Sequence, residues 1–243
     1  NSFDSYGVYL HEKAALENVE AFAKKLKPYG YEYFVIDAGW FGEFTLRSGT
    51  IYPTEKHAKK IKFNEYGLLQ PSDTYFPNGF KPIIDRCHQL GIKFGVHLMR
   101  GIPRAAVDAN VPIKGTKYFA QDIADKNSIC VWNSQNYGVD MKKPGAQEFY
   151  DSLIKQLADW GVDFIKYDDI VPFPEEIKGV ANAIAKSGRP MILSLSPGGD
   201  VNPDYLDAFQ RAHMLRVTPD IWDDQKGIDE CFADWRKWNG KSK

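Results

Sequence analysis

The feature that most narrows the fold is an order repeated along the chain: a helix-like segment, a glycine, then a short apolar strand. Residues 11–27 stop at KPYG and lead into YEYFVIDAGW. Residues 80–90 stop at Gly91 and lead into IKFGVHLM, and residues 146–160 stop at Gly161 and lead into VDFIKYDD. Residues 175–186 stop near Gly188 and lead into PMILSLSPGG. A short helix over 205–210 precedes AHMLRVTPD, and GIDECFADWRKW reads as the helix after it. Glycine suits a helix end because it enters the left-handed region without a Cβ clash. Helices alternating with strands in this way imply parallel strands joined by right-handed crossovers.

Two architectures satisfy that order, an open doubly wound sheet and a (β/α)8 barrel. A doubly wound nucleotide binder carries a glycine-rich phosphate loop after its first strand. Here SPGG follows a late strand and lacks the spacing. Polar residues instead close strand after strand: Asp37, His97, Asp168, Ser196, and Arg216 with Asp220. That rim is where barrels build active sites. The expected fold is therefore α/β, a (β/α)8 TIM barrel.

Strand periodicity sorts these residues, because successive side chains face opposite sides. Phe164, Lys166 and Asp168 share one face; Ile165, Tyr167 and Asp169 share the other. The same alternation sets Gly95 and His97 apart from Phe94, Val96 and Leu98, which should meet the outer helices. The inward set is Asp37, His97, Lys166, Asp168, Ser194, Ser196 and Arg216. A buried charge is costly unless paired, so Lys166 needs an acid or a polar ligand. Asp169, on the opposite face, is expected to support the loop that follows.

Composition excludes some partners. A formal net charge of −1 provides no electrostatic reason for nucleic acid or an anionic membrane. No apolar run approaches the ~18 residues of a membrane span, and no signal peptide precedes Asn1, so cytoplasmic and exported locations are both compatible. The three cysteines are far apart with no CxxC pair and read as free, buried thiols. Aromatic residues make up 14%, enough for a core and for a pocket that stacks on sugar rings. Long insertions over 41–78 and 99–144 are expected to form ordered pocket walls. In them Trp132 is a candidate sugar platform, and Arg100 and Arg104 of RGIPR are expected to be paired within the loops.

The runs YEYFVIDAGW, IKFGVHL, DWGVDFIKYDD and RVTPDIWDD occur in the order seen in the retaining α-galactosidases and α-N-acetylgalactosaminidases of glycoside hydrolase family 27, clan D. The chain resembles that family along almost its whole length. The resemblance implies double displacement, with Asp168 as nucleophile and Asp220 as acid/base. Lys166, Arg216 and Asp37 would contact the sugar, with His97, Ser196, Gly199 and Trp132 as further pocket residues. Neither a metal nor an organic cofactor is called for. Two carboxyls ~5–5.5 Å apart suit a retaining enzyme. Asp168 must be ionised, which Lys166 and Arg216 would favour, and Asp220 must hold a proton, so partial desolvation is expected there.

Departures from the family bear on the substrate. Where many members have two aspartates holding the galactose O4 and O6, this chain has Asp37-Ala38. Ser196 and Gly199 take the places of bulkier residues of α-galactosidases, so an acetamido group fits better. The implied partner is an oligosaccharide or glycoconjugate with a terminal α-linked N-acetylgalactosamine or galactose. The loop after Asp168 lacks a cysteine that many members use in a disulfide. The strands counted reach only the sixth of eight, so residues 1–243 are expected to be an incomplete catalytic barrel, truncated after about the sixth βα unit, without the family's C-terminal antiparallel β domain. Two other readings stay open: a non-catalytic carbohydrate-binding barrel, and a metal-dependent enzyme using Asp168, Asp169, Asp223 and Asp224.

Overall fold

The computed structural model describes residues 1–50, 52–197, 201–222 and 224–241. Helix α1 (Glu12–Lys25) leads into β1 (Tyr33–Ile36), α2 (Lys81–Gln89) into β2 (Lys93–Met99), and α3 (Ala146–Trp160) into β3 (Phe164–Asp168). Helix α4 (Pro174–Lys186) leads into β4 (Ile192–Leu195); β5 (Met214–Leu215) and α5 (Gln225–Lys237) follow. The segment expected as one helix before β5 is a 3-10 turn, Pro203–Tyr205, running into Leu206–Phe209. At the end of α3, Gly161 has φ of 94°, the left-handed turn that drops the chain into β3.

The five strands form one sheet in the order β1-β2-β3-β4-β5, and every neighbouring pair is parallel. A doubly wound sheet would reverse this order at a switch point. Sequential order instead matches consecutive staves of a barrel wall. Among the described residues the barrel is not closed, and β1 and β5 are the two edges of an open sheet. The reason is geometric: closure requires strand number, tilt and stagger to agree, and five strands are short of the eight that leave a side-chain-filled interior.

One sheet face carries Phe34, Ile36, Phe94, Val96, Leu98, Ile165, Tyr167, Leu193 and Leu195, all buried in the hydrophobic core. The other face carries the polar row. The described residues of both insertions pair into short sheets. Gly42–Glu43 pairs with Lys60–Ile61, and Ile102–Pro103, Asn136–Val139 and Ala124–Ile129 form a small antiparallel sheet. Cys87, Cys130 and Cys231 are free and buried.

Candidate active site

Strand register assembles the site before any side chain is considered. His97, Lys166 and Ser194 are direct partners across β2, β3 and β4, and Met99 pairs with Asp168 one step nearer the rim. Ile36 pairs with Val96, so Asp37, the residue just past the end of β1, arrives beside His97. Side chains of one parity therefore meet on the face away from the helices.

Asp37 is buried and accepts from Lys166 Nζ at 2.8 Å and from Asn1 Nδ2 at 2.6 Å, while its Oδ1 accepts from Ala38 N at 2.7 Å. Gly39 then turns the chain with φ of 96°, where a Cβ would lie 2.3 Å from the Val8 carbonyl oxygen. Only glycine satisfies both demands. Trp40 Nε1 donates to the His97 carbonyl at 2.8 Å, tying the ends of β1 and β2 together.

Asp168, 8% exposed, ends β3. His97 Nε2 lies 2.9 Å from its Oδ2, and Lys166 Nζ lies 3.6 Å from the same oxygen. Burial alone would raise this carboxyl's pKa, but His97 and then Lys166 outweigh it and hold Asp168 well below the usual carboxylate range. The buried Ser196 hydroxyl adds to this from close by, without a well-aligned hydrogen bond to the carboxylate. Burial acts in the same direction on Asp37 and is overcome by His97 and Lys166, leaving that carboxyl lowered too. Lys166 is disfavoured as a cation by burial, yet Asp168 and Asp37 raise its pKa above the ordinary lysine value. The buried lysine thus has two acid partners.

The two ends of the strands differ in how well their polar groups are satisfied. At the N-terminal end, Asp163 accepts from Phe94 N at 2.9 Å, meets His88 Nε2 at 2.8 Å and is paired with Arg189 Nη2 at 2.5 Å. At the C-terminal end, His97 Nδ1, Asp168 Oδ1, Ser196 Oγ and Arg216 Nε are buried with no hydrogen-bond partner among the described residues, as are Tyr167 Oη and Asn136 Oδ1, which do not line the cavity at that end. Buried polar groups are ordinarily paired, so unpaired atoms gathered at one rim mark a place for a polar ligand.

Asp37, His97, Lys166, Asp168, Arg216 and Asp220 all line one cavity of about 1630 Å³. Its outer wall is aromatic: Phe3, Tyr52, Trp132 and Trp222, with ring centroids 6.3 Å apart for Phe3 and Tyr52 and 6.4 Å for Tyr52 and Trp222. Asp220 differs from expectation. Its side chain is 50% exposed and is ion-paired with Arg216 rather than desolvated. The loop that carries it leaves the edge strand β5, and no neighbouring strand shields that side among the described residues. Gly199 and Asp223 lie outside the described residues. Asn1, Tyr52 and Trp222 were not anticipated; the tryptophan next to Asp220 in TPDIW was the one available signal.

Asp169 faces away from the cavity, as alternation predicts. Arg100 Nε donates to its carbonyl oxygen and to its Oδ2, both at 3.1 Å, and Arg100 Nη1 donates to Glu176 Oε1 at 2.8 Å. Burial pushes both carboxyls up against the pull of Arg100. Arg104 Nη1 donates to the Ser134 carbonyl at 3.3 Å, so both RGIPR arginines are occupied internally. Asp224 caps α5 by accepting from Gly227 N at 2.6 Å. With Asp169 committed to Arg100, it does not share a cation with Asp168. Among the described residues no group of three or more His, Cys, Asp or Glu is placed to hold a metal.

No family profile matches the chain. Solved structures and curated relatives do. A family GH27 β-L-arabinopyranosidase from Geobacillus stearothermophilus, in complex with arabinose, is 44% identical with a TM-score of 0.87, covering 98% of this chain and 56% of that one. A Bacillus halodurans protein provisionally assigned as an α-N-acetylgalactosaminidase is 40% identical with a TM-score of 0.79, covering 99% and 57%. Alpha-galactosidase A of Cellvibrio japonicus is 27% identical over 230 residues, 91% of this chain and 43% of the relative. The chain thus spans about half the length of the relatives it matches. Taken with the parallel sheet and the row of polar residues on its inner face, these likenesses make the chain similar to enzymes of glycoside hydrolase family 27.

Proposed function

We propose that the complete protein is a retaining, exo-acting glycosidase that removes a terminal galacto-configured sugar. The observation that supports this reading most is Asp168: a buried carboxylate kept ionised by His97 and Lys166, with Oδ1 lacking a partner among the described residues, on the wall of the cavity. In the first step Asp168 bonds to the anomeric carbon while Asp220 gives its proton to the leaving oxygen. In the second, Asp220 takes a proton from water, which attacks the same carbon and releases Asp168. Asp220 must exchange Arg216 for the leaving group in order to act. Lys166 and Asp37 would receive sugar hydroxyls, with Trp132 as a stacking surface. The five parallel strands are read as part of an eight-stranded catalytic barrel.

The sugar follows from Ala38, which lines the cavity where the family's second aspartate would hold O6. β-L-Arabinopyranose has the ring configuration of α-D-galactopyranose without the C6 hydroxymethyl group. The likeness to an arabinopyranosidase and the apolar Ala38 both favour that sugar over α-galactose. Terminal α-linked N-acetylgalactosamine is the second candidate, supported by the Bacillus halodurans likeness.

Nitrophenyl β-L-arabinopyranoside, α-galactoside and α-N-acetylgalactosaminide, assayed side by side on the complete protein, test the order. A 2-fluoro sugar should label Asp168, and Asp168→Asn should cut turnover by roughly a thousandfold or more while sugar binding survives. Label on another residue, or a first product of inverted anomeric configuration, would sink the mechanism.

A further inference from the structure

Directly behind Asp168 lies a buried polar cluster that takes no part in the proposed chemistry. Arg100, Asp169 and Glu176 are each at most 5% exposed, and none of them lines the cavity. Asp169 has φ of 62°, one of two non-glycine residues with positive φ among those described. A side chain in that region is strained and persists where its surroundings hold it. Here Arg100 holds the turn, with the Cys130 thiol beside the same carboxylate. The Arg100 guanidinium holds both the carbonyl and the carboxylate of Asp169. The backbone N–H of Arg100 donates to the Asp168 carbonyl at 3.0 Å. The guanidinium is itself fixed, stacked 3.5 Å over the Phe173 ring and paired with Glu176, which also accepts from the Tyr150 hydroxyl. Asn136 Nδ2 in turn donates to the Arg100 carbonyl at 3.0 Å.

We infer that Arg100 is a positioning residue for Asp168: it locks the left-handed turn at Asp169 and so sets the direction in which the Asp168 carboxylate enters the cavity. A planar guanidinium suits this task because Nε stands 3.1 Å from both the carbonyl oxygen and Oδ2 while Nη2 also reaches Oδ2 at 3.1 Å, a fixed geometry that an ammonium does not reproduce. The inference rests on the assignment of Asp168 as nucleophile.

The test uses the complete protein and Arg100→Lys, which keeps the charge and removes the planar group. Turnover of the nitrophenyl glycoside should fall about 100-fold, the scale of an ångström misplacement, with KM and the melting temperature little changed. The decisive comparison is in an Asp168→Ala background supplied with azide. There a terminal azide nitrogen forms the bond to the anomeric carbon and nitrophenolate leaves with the electron pair, so the aspartate's direction no longer matters. Arg100→Lys should leave that azide-supported rate nearly unchanged. An equal loss in both backgrounds overturns the proposal, because Arg100 is then only structural. Should azide not restore turnover, the rate of covalent trapping by a 2-fluoro sugar decides: slower trapping at unchanged inhibitor affinity supports the role, and unchanged trapping overturns it. Should Arg100→Lys not fold, Asp169→Asn carries the same comparison, and if neither folds the proposal falls. Full activity of Asp168→Ala without azide is a different failure, that of the nucleophile assignment itself.

Discussion

Asp168 and Asp169 are neighbours in sequence with opposite surroundings. Asp168 sits beside His97 and Lys166, which hold its pKa down against burial, whereas burial prevails at Asp169 and pushes that carboxyl up. The lowered value has a consequence for stability. A carboxyl with a native pKa below its unfolded value of about 3.9 contributes stability that is present above that pH. The contribution is lost as pH falls through the native value. Asp168→Asn should therefore flatten the acid limb of unfolding free energy against pH, by about 1–3 kcal/mol between neutral and strongly acid solution. Urea unfolding at stepped pH measures this, and an unchanged acid limb would contradict it. The inward direction of Asp168 and Lys166 was legible in the sequence from alternation alone. Their partners were not, because Asp37 and His97 come from other strands whose register is a property of the sheet.

At the scale of elements, the helix, glycine, strand order marked the major helices and strands, since local propensity and turn chemistry agree there. The antiparallel sheet within the second insertion was not legible: it pairs Ile102 with Tyr137, and no local pattern predicts so distant a partner. The tight spot on the inner face is Gly95 of β2. A Cβ there would come 2.8 Å from Val35 Cγ2 and 3.0 Å from Phe164 Cβ. Gly95→Ala should push the flanking strands apart just below His97 and Lys166 and cost about 1–3 kcal/mol, the range of core overpacking. Thermal unfolding would register the loss. A crystal structure of the variant with both neighbouring strands unmoved would refute the explanation.

Across the whole molecule, charge is divided between the two ends of the sheet. The Asp163, His88 and Arg189 group at the N-terminal end is fully engaged, and burial there is outweighed by its partners so that Asp163 is lowered. In barrel-type sheets that end serves stability and the other end serves chemistry. Asp163→Asn should lower unfolding free energy by about 1–3 kcal/mol and leave kcat unchanged; a fall in kcat at temperatures where the variant is folded would break this division. The sequence by itself determined the class of fold, the parallel strand order, the inward face and the identity of the polar residues on it. These depend on periodicities of two and 3.6 residues and on glycine at helix ends, all local properties. Tertiary structure alone decided that Arg100 grips Asp169, that Asp220 stands exposed against Arg216, and that Tyr52 and Trp222 meet in one wall. Each joins parts of the chain or fixes a depth of burial, and alternation assigns a side chain its face but neither its partner nor its distance from solvent.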